Sequence, residues 1–484
     1  MGNLDDRTIK TSRSEPINQI KHPFMNLTRI LFLLVWASAL SAAERPNVIL
    51  IMADDLGYET LSANGGAPYQ TPHLDKLAAN GLRFTNCVAQ PVCTPTRVKI
   101  MTGRYNFRNY KTFGILDPRE KTFGHVMRDA GYKTCIVGKW QLGRDRKLPG
   151  HFGFDEYCLW WLENKSTRYG NVGELIRNGK VLPGDKGEYG PDVVSAFMLD
   201  FISRNKEGPF FCYYPMILTH SPFVATPDTD KDAPKGSSLD RMVDMVAYTD
   251  KIVGQVVAHL DKLGLRENTV ILYTGDNGTG RGVVGAKVGK HDWPGAKGSN
   301  MSEMGMRVPL VVNYPAGGVS GKVLDDPIDF SDMLPTFAEL GGGKLPKGVT
   351  IDGHSFAGRL TGSKDYKPRE WAYVSYYGKS RGSATHFARD VRYKLYEGGY
   401  LYDFHEDPAH AKPIAPSTAD PAARVARKKL SAVLKQMKSQ FAEGDKYTGV
   451  ATKLLTTKPG LSAGQPKKPK DKGGKKGGKN KPEK

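Results

Sequence analysis

Acidic and amide side chains directly follow two apolar runs that lie far apart in the sequence. They form the pair Asp54-Asp55 and the pair Asp276-Asn277. Each pair on its own is compatible with an ordinary turn or helix cap. Two adjacent carboxylates repel each other, however, unless a positive charge lies between them. Because the four side chains offer only oxygen atoms, they favour Ca²⁺, and less strongly Mg²⁺, over zinc.

A second chemically active group surrounds Cys93, in the segment Pro91-Val-Cys-Thr-Pro-Thr-Arg97. Pro95 suits the first turn of a helix that runs on through Met101. Cys93 would then lie near the positive end of this helix, together with Arg97, and would face anions. The segment is compatible with a thiolate nucleophile or with a buried structural cysteine. Neither interpretation explains why proline and arginine stand at these spacings.

Five short apolar runs are typical of buried strands, and they lie at residues 48–52, 134–137, 210–217, 270–274 and 308–313. Helical patterns separate them, for example at residues 239–263 and 330–340. We interpret the strands as parallel, since strands that alternate with helices are typical of an α/β fold. The pattern predicts a large, mostly parallel central sheet sandwiched by helices.

Polar residues follow four consecutive strands of this predicted sheet. The first strand is followed by Asp54, the second by Gly138-Lys139, the third by His220 and the fourth by Asp276. Ligands of open α/β sheets bind beyond the carboxyl ends of the strands. We therefore expect these side chains to converge on one site.

The sequence changes in character after about residue 365. Residues 371–377 and 391–404 are typical of short antiparallel strands, and residues 422–441 of one amphipathic helix. This pattern predicts a small antiparallel sheet in a C-terminal α+β subdomain. The predicted domains are a catalytic domain at 44–365 and the C-terminal subdomain at 366–455.

The N-terminal region is typical of a secretory signal. Residues 25–43 contain Arg29, an apolar run and a small-residue ending. The apolar run is too short for a stable membrane span. We interpret residues 1–24 as a non-native or unstructured extension, with translation starting at Met25. The protein is therefore predicted to be exported, either to a periplasm or out of the cell.

A lysine-rich tail at residues 456–484 carries part of the formal net charge of +20. It has almost no apolar residue, so we predict that it is disordered. A solvated tail is the interpretation we favour over a tether to an acidic glycan, a nucleic acid or a membrane surface. No nucleic-acid partner is expected.

The motifs resemble those of type I sulfatases, the formylglycine-dependent and arylsulfatase-like family of the alkaline-phosphatase-like superfamily. Cys93-Thr-Pro-Thr-Arg97 resembles the signature Cys-x-Pro-x-Arg of that family, and Thr102-Gly-Arg104 follows it as is usual there. The other matching segments are Asp54-Asp-Leu-Gly57, Gly138-Lys-Trp140, Gly275-Asp-Asn-Gly278, Ala296-Lys-Gly298, Arg307-Val-Pro309, Leu401-Tyr-Asp403 and Asp407-Pro408. They run in the family's order from about residue 47 to residue 408.

This resemblance implies a nucleophile and a metal site. In the family the cysteine is oxidised to formylglycine, whose hydrated aldehyde supplies the nucleophilic oxygen, so a maturation enzyme is an implied partner. The implied ligands of Ca²⁺ are residue 93 with Asp54, Asp55, Asp276 and Asn277. The implied substrate is a sulfate monoester of a small molecule or, as we favour, of a polysaccharide.

The resemblance also implies roles for the cationic residues. Arg97, Lys139 and Lys297 would hold the sulfate oxygens. His220, together with Lys297, would protonate the leaving alcohol. Arg104 is expected to support the site by pairing with a neighbouring carboxylate. The leaving group is expected to contact residues 159–178, which include Trp160, Trp161 and Arg168, and residues 280–293.

One position departs from the family pattern, because Gln141 stands where many members carry histidine. That histidine is the family's candidate base for releasing sulfate, and an amide cannot take a proton. Loss of a positioned base typically costs about 10²–10⁴-fold in rate. We favour a subgroup substitution with intact activity and with Gln141 as a substrate contact. The alternatives are another base, with His291 as a candidate, or a protein that turns over poorly.

Two rival functions stay open from the sequence alone. A phosphate-ester hydrolase of the same fold would usually carry serine or threonine as nucleophile and histidines as zinc ligands. A secreted glycan-binding protein, derived from an enzyme, would bind sulfated glycans without turnover. The remaining cysteines do not decide between them: Cys135 and Cys212 lie in apolar runs, and any pairing of Cys87 or Cys158 is open.

Overall fold

The computed structural model describes residues 45–163, 168–170, 175–184, 187–232, 236–377 and 385–441. The predicted extension, signal peptide and lysine-rich tail lie outside these residues. None of the described helices has the length and hydropathy needed to cross a membrane.

The strands of the described chain are short and number eighteen. In chain order they are β1 (Asn47–Ala53), β2 (Gly66–Ala67), β3 (Leu82–Val88), β4 (Lys133–Lys139), β5 (Glu156–Trp160), β6 (Ile176–Arg177), β7 (Lys180–Val181), β8 (Phe210–Pro215), β9 (Thr269–Gly275), β10 (Lys287–Val288), β11 (His291–Asp292), β12 (Arg307–Asn313), β13 (Lys322–Leu324), β14 (Ile328–Asp329), β15 (Ala372–Tyr376), β16 (Thr385–Arg389), β17 (Tyr393–Tyr396) and β18 (Leu401–Asp403).

The α-helices of the same residues number ten. They are α1 (Pro72–Ala79), α2 (Cys93–Thr102), α3 (Asn106–Asn109), α4 (Phe123–Asp129), α5 (Leu148–His151), α6 (Gly190–Arg204), α7 (Ser238–Lys262), α8 (Met333–Gly341), α9 (Ala357–Leu360) and α10 (Pro421–Ser439). Short 3₁₀ turns stand at Tyr58–Thr60, Ser62–Asn64, Pro315–Gly317 and Phe330–Asp332.

A mixed sheet of eleven strands forms the centre of the described structure, in the order β13-β3-β12-β9-β1-β8-β4-β5-β6-β7, with β14 also paired to β3. The four central strands β9, β1, β8 and β4 are parallel to one another. Every residue of β1 is buried, as expected for a strand that is covered on both faces. The predicted α/β class with a mostly parallel central sheet is confirmed.

Helices cover both faces of this sheet. On β1, Val48, Leu50 and Met52 belong to a core cluster that includes Phe123 of α4 and Phe337 of α8. The intervening residues Ile49, Ile51 and Ala53 belong to a second cluster, which includes side chains of α6 and α7. Since successive side chains of a strand point to opposite faces, the sheet separates two hydrophobic cores.

The direction of β12 differs from our prediction. Residues 308–313 do form a buried strand, but β12 is antiparallel to both of its neighbours, β3 and β9. The chain leaves β9 at its carboxyl end and stays at that edge of the sheet until β12 begins, so β12 must run back across the sheet. An apolar run reports burial on both faces and carries no signal for strand direction.

The C-terminal residues form the predicted small antiparallel sheet, in the order β15-β16-β17-β18. Helix α10 packs on it through Ala423, Leu430 and Met437, which share a core cluster with Tyr373 and Leu395. Strand β16 was not predicted. The predicted domain boundary near residue 365 stays a prediction.

Buried charges join this sheet to the segment that precedes β12. Glu303 lies 2.6 Å from Arg389 of β16 and 3.3 Å from Lys394 of β17, with all three side chains fully buried. Burial opposes ionisation of Glu303, but Arg389 and Lys394 hold its pKa well below the usual value. The ion pairs therefore fix the small sheet against the end of the loop that carries Lys297.

Candidate active site

The parallel strands bring the predicted residues to one edge of the sheet. Asp54 follows β1, Asp276 follows β9, and Lys139 is the last residue of β4. His220 follows β8 after a short loop. Because neighbouring parallel strands end at the same edge, residues more than 200 positions apart in sequence become neighbours, and the backbone N–H of Asp55 donates to Asp276 Oδ1 at 3.0 Å.

Cys93 is the first residue of α2, and Val92 is the N-cap. Pro95 lies in the first turn, as predicted. One ligand atom each from Asp54, Cys93 and Asp276 lie within 4.8 Å of one another, and all three residues are buried. The structure therefore places the thiol, the positive end of a helix and two carboxylates at one point.

Each carboxylate of this cluster has a cationic partner. Lys139 Nζ lies 2.6 Å from Asp54 Oδ1, and Arg97 Nη2 lies 3.2 Å from Asp276 Oδ2. Lys297 Nζ lies 2.5 Å from Asp55 Oδ1. The three cations that the resemblance assigned to sulfate binding are thus in direct contact with the acidic cluster.

Arg168 also belongs to the cluster, although the sequence assigned it only to the leaving-group segment. Its Nη1 lies 2.5 Å from Asp54 Oδ2, and its guanidinium carbon lies 4.2 Å from the centre of the Trp160 ring. The arginine stands in an irregular segment without a motif. No signal in the sequence identifies its contact with Asp54.

His220 lies at the edge of the cluster. Its Nε2 is 3.5 Å from Asp55 Oδ2, and its Nδ1 is 2.7 Å from the carbonyl oxygen of Ser221. Burial lowers the pKa of His220 to about 4, and the opposing charges of Asp54 and Asp55 do not offset this. The imidazole is therefore neutral near pH 7 and has one nitrogen directed to the cluster.

The oxygen atoms of the cluster fit a divalent cation. Asn277 donates to Asp55 Oδ1, but its own Oδ1 is buried and has no hydrogen-bond donor among the described residues. Burial, followed by the charge of Asp54, raises the pKa of Asp276 to about 7. Burial opposes ionisation of Asp54 too, but Lys139 and other cations lower its pKa. A divalent cation between these oxygens would satisfy Asn277 Oδ1 and would favour ionised Asp276.

Three further sequence assignments can be located. Gln141 is buried, its φ of 56° lies in the left-handed region, and its Oε1 accepts no hydrogen bond from the residues that the structure describes. Arg104 Nη1 lies 2.8 Å from Glu120 Oε1, which is the kind of pairing we expected. His291 lies on β11 opposite Val288, and its role as a base stays a hypothesis.

The other four cysteines are buried free thiols, as is Cys93. Burial raises the pKa of Cys158 to about 12 and raises those of Cys87 and Cys135 as well. Cys135 and Cys212 face each other on the neighbouring strands β4 and β8 within the core, as their apolar surroundings suggested. Among the five, only Cys93 lies at the acidic cluster.

Glu59 and Thr279 form a layer behind the cluster that the sequence did not reveal. The Thr279 hydroxyl donates to Glu59 Oε1 and accepts from the N–H of Gly57 at 3.1 Å. The carbonyl of Thr279 accepts from the N–H of Lys297 at 2.9 Å. Thr279 therefore ties together the loops that carry Asp55, Asn277 and Lys297.

Comparisons with known proteins agree with this arrangement. The family described as "Sulfatase" matches residues 46–343, and the family described as "N-sulphoglucosamine sulphohydrolase, C-terminal" matches residues 289–440. Human arylsulfatase A is 32% identical over 432 residues, which cover 81% of this chain and 80% of that protein.

Solved structures share the fold. Ps i-CgsB has a TM-score of 0.70 and 24% identity, and the match covers 86% of this chain and 98% of that chain. BT4656, solved in complex with its substrate D-glucosamine-2-N,6-O-disulfate, has a TM-score of 0.66 and 23% identity, with 83% and 99% covered. The family match spans more than half of the chain and agrees with the identity to arylsulfatase A. This chain belongs to the sulfatase family, the arylsulfatase-like hydrolases of sulfate esters.

Proposed function

We propose that this sulfatase is an exported enzyme that removes sulfate from carbohydrates, using Ca²⁺ and a formylglycine made from Cys93. The observation that carries the proposal is the meeting of Asp54, Cys93 and Asp276 within 4.8 Å. The cations Arg97, Lys139 and Lys297 surround this point. Such a site can hold an anion next to a metal ion and a nucleophile.

The acidic residues supply the metal site of the proposal. Asp54, Asp55, Asp276 and Asn277 would hold Ca²⁺ together with residue 93, and oxygen ligands of this kind suit Ca²⁺ better than zinc. The bound ion would supply positive charge that polarises the sulfate and the group at position 93. Lys139 and Arg97 already hold Asp54 and Asp276 in place.

The nucleophile would come from residue 93. Formylglycine supplies a hydroxyl nucleophile through its hydrated aldehyde, which a cysteine thiol does not offer. Residue 93 is the first residue of α2, so the free N–H groups and the positive end of that helix favour negative charge there. Arg97, one turn along the same helix, adds a full positive charge on that side.

The cations of the site would bind the sulfate group. Arg97 Nε is buried and has no hydrogen-bond acceptor among the described residues, so this donor is left unsatisfied until a ligand supplies an acceptor. Burial opposes protonation of Lys297, but Asp55 and Cys93 outweigh it and raise the pKa of Lys297. A protonated Lys297 can stabilise the charge that builds on the bridging oxygen as the S–O bond breaks.

His220 would act on the leaving alcohol. Near pH 7 its imidazole is neutral, since burial lowers its pKa to about 4. A neutral imidazole with Nε2 directed to the cluster can donate or accept one hydrogen bond at the bridging oxygen. The charged donor at that oxygen is then Lys297.

Carbohydrate is the substrate that we favour among sulfate esters. Its support is the likeness of the fold to BT4656, whose substrate is a sulfated glucosamine. Trp160 and Tyr169 also line a cavity beside the site, which offers room for a sugar ring. Export, predicted from residues 25–43, would bring the enzyme to such substrates.

The test uses the full chain, produced together with a formylglycine-generating enzyme. Mass spectrometry of the tryptic peptide 84–97 should show formylglycine at residue 93. Of a matched pair of aryl esters, the enzyme should hydrolyse the sulfate in preference to the phosphate. A chelator should abolish this activity, and Ca²⁺ should restore it. The Cys93→Ala variant is the matched control and should be inactive.

Two results would replace the proposal. Faster hydrolysis of the aryl phosphate would favour a phosphate-ester hydrolase. Binding of sulfated glycan without turnover, in protein that contains formylglycine and Ca²⁺, would favour a glycan-binding protein. Full sulfatase activity with an unmodified thiol at residue 93 would refute the proposed nucleophile.

A further inference from the structure

A cavity of about 830 Å³ lies beside the acidic cluster. Trp160, Tyr169 and Tyr189 give it an aromatic lining, and Arg168 and His220 are also part of the lining. The rings of Tyr169 and Tyr189 are stacked, with centroids 6.1 Å apart. Since Arg168 contacts Asp54 and His220 contacts Asp55, the cavity adjoins the point where the proposed reaction occurs.

Arg168 has hydrogen-bond donors to spare. Its Nη1 donates to Asp54 and, at 3.3 Å, to the carbonyl oxygen of Ile217. Its Nε and Nη2 donate to no residue that the structure describes, and they are not among the buried atoms that lack a partner. Nε and Nη2 therefore keep some exposed surface, and Arg168 lines the cavity.

The guanidinium is also held in a fixed position. One side of it lies 4.2 Å from the centre of the Trp160 ring, and Asp54 holds Nη1 at 2.5 Å. An arginine that is fixed by stacking and by an ion pair presents its remaining donors as a fork, the geometry that matches a carboxylate or a sulfate.

The charge of the site favours a second anion. The cluster contains four cationic side chains and three carboxylates, so it has one excess positive charge. The cations are Arg97, Lys139, Arg168 and Lys297. A bound Ca²⁺ would add two positive charges, whereas a sulfate ester brings one negative charge. In the described lining of the cavity, Arg168 is the only arginine, lysine or carboxylate side chain.

We propose that Arg168 binds a second anionic group, a carboxylate or another sulfate, on the sugar ring that carries the scissile sulfate. That ring would occupy the cavity that Arg168 lines. The inference rests on the proposed function and narrows its substrate class to acidic sulfated sugars.

The experiment compares matched substrates in the matured, Ca²⁺-loaded enzyme. One pair is a sulfated uronic acid glycoside and its carboxamide; the other is a disulfated sugar and its monosulfated counterpart. The wild-type enzyme should prefer the anionic member of at least one pair by about tenfold to 100-fold in kcat/KM, as expected for a charge-assisted hydrogen bond. The pair that shows the preference identifies the anion.

Arg168→Gln should reduce that preference to about threefold or less, and Arg168→Lys should retain part of it. A ratio between two substrates cancels any general damage that follows from loss of the Asp54 contact. Arg204→Gln is the matched control, because Arg204 is also ion-paired and lies 6.0 Å from an aromatic ring centre, but it does not line the cavity. This variant should keep the wild-type ratio.

The failures can be told apart. An enzyme that hydrolyses a simple aryl sulfate but shows no preference in either pair would refute the role of Arg168 and leave the sulfatase proposal intact. An unchanged preference in Arg168→Gln would refute it as well. Inactivity toward every sulfate ester, with formylglycine present, would overturn the proposed function itself.

Discussion

Replacement of Asp54 by asparagine should strongly destabilise the folded protein. Asp54 and Lys139 are both fully buried and lie 2.6 Å apart, and Asp54 also pairs with Arg168. The amide keeps the size of the side chain but removes its charge, so Lys139 becomes a buried cation without a carboxylate partner. Breaking a buried ion pair in this way costs about 3–5 kcal/mol.

Because Asp54 has two cationic partners, Asp54→Asn and Lys139→Met should lower stability by different amounts. In Lys139→Met, Asp54 keeps its contact with Arg168, so we expect a smaller loss of about 1–3 kcal/mol, the size of a hydrogen bond to a charged group. In the double variant no buried charge is left at the Lys139 position. Its destabilisation should therefore fall short of the sum of the two single losses by about 1–3 kcal/mol.

Urea and thermal unfolding of the full chain measure these losses, with a chelator present so that metal binding does not contribute. For a chain of this length each kcal/mol shifts Tm by about 1–2 °C, so Asp54→Asn should lower Tm by about 3–10 °C. A loss below about 1 kcal/mol for Asp54→Asn, or strictly additive losses in the double variant, would refute the view that this pair is a buried, coupled ion pair.

Three further variants test other groups. Burial raises the pKa of Glu59 from 4.5 to about 7, so between these values the folded state holds a proton that the unfolded chain loses, and stability falls as the pH rises. In urea unfolding, Glu59→Gln should therefore stabilise the protein by about 1–3 kcal/mol at pH 8 and little at pH 5, and a difference that does not depend on pH would contradict this. Burial lowers the pKa of Lys394 from 10.5 to about 7 despite Glu303, so the unfolded chain binds more protons between these values. Wild-type stability should therefore rise relative to Lys394→Met by about 1–3 kcal/mol from pH 7 to pH 9, and a flat difference would argue against this lowered pKa. Gln141→His should leave kcat for an aryl sulfate equal or higher, because histidine tolerates the left-handed backbone and adds a base. A large loss of kcat would show that the amide has a role of its own.

The central strands and their polar ends were predictable because burial on both faces demands continuous apolar runs. Strand β1 is an example, and the acidic residues after it stand where the chain leaves the core. Strand β3 alternates apolar with polar and half-buried positions, and it was missed. The predicted direction of β12 was wrong for a different reason. A strand's direction depends on the edge of the sheet at which the preceding loop ends.

The site was predictable where motifs mark it and not elsewhere. Asp54, Cys93 and Asp276 stand in short segments whose order resembles that of a family, and the structure brings them together. Arg168 and Glu59 reach the site through contacts between segments that are distant in sequence, with Asp54 and with Thr279. Such contacts have no local pattern, so only the folded chain reveals them.

The side chain of Cys93 is only 1% exposed, because it lies at the start of α2 with the sheet edge closed around it. A maturation enzyme is itself a protein, and its active site cannot reach a sulfur atom that is buried in this way. The proposed conversion of Cys93 would therefore have to precede folding, while this segment is still extended. A chain that folds before conversion would keep its thiol. Under this proposal, the fraction of matured enzyme would depend on the relative rates of oxidation and folding.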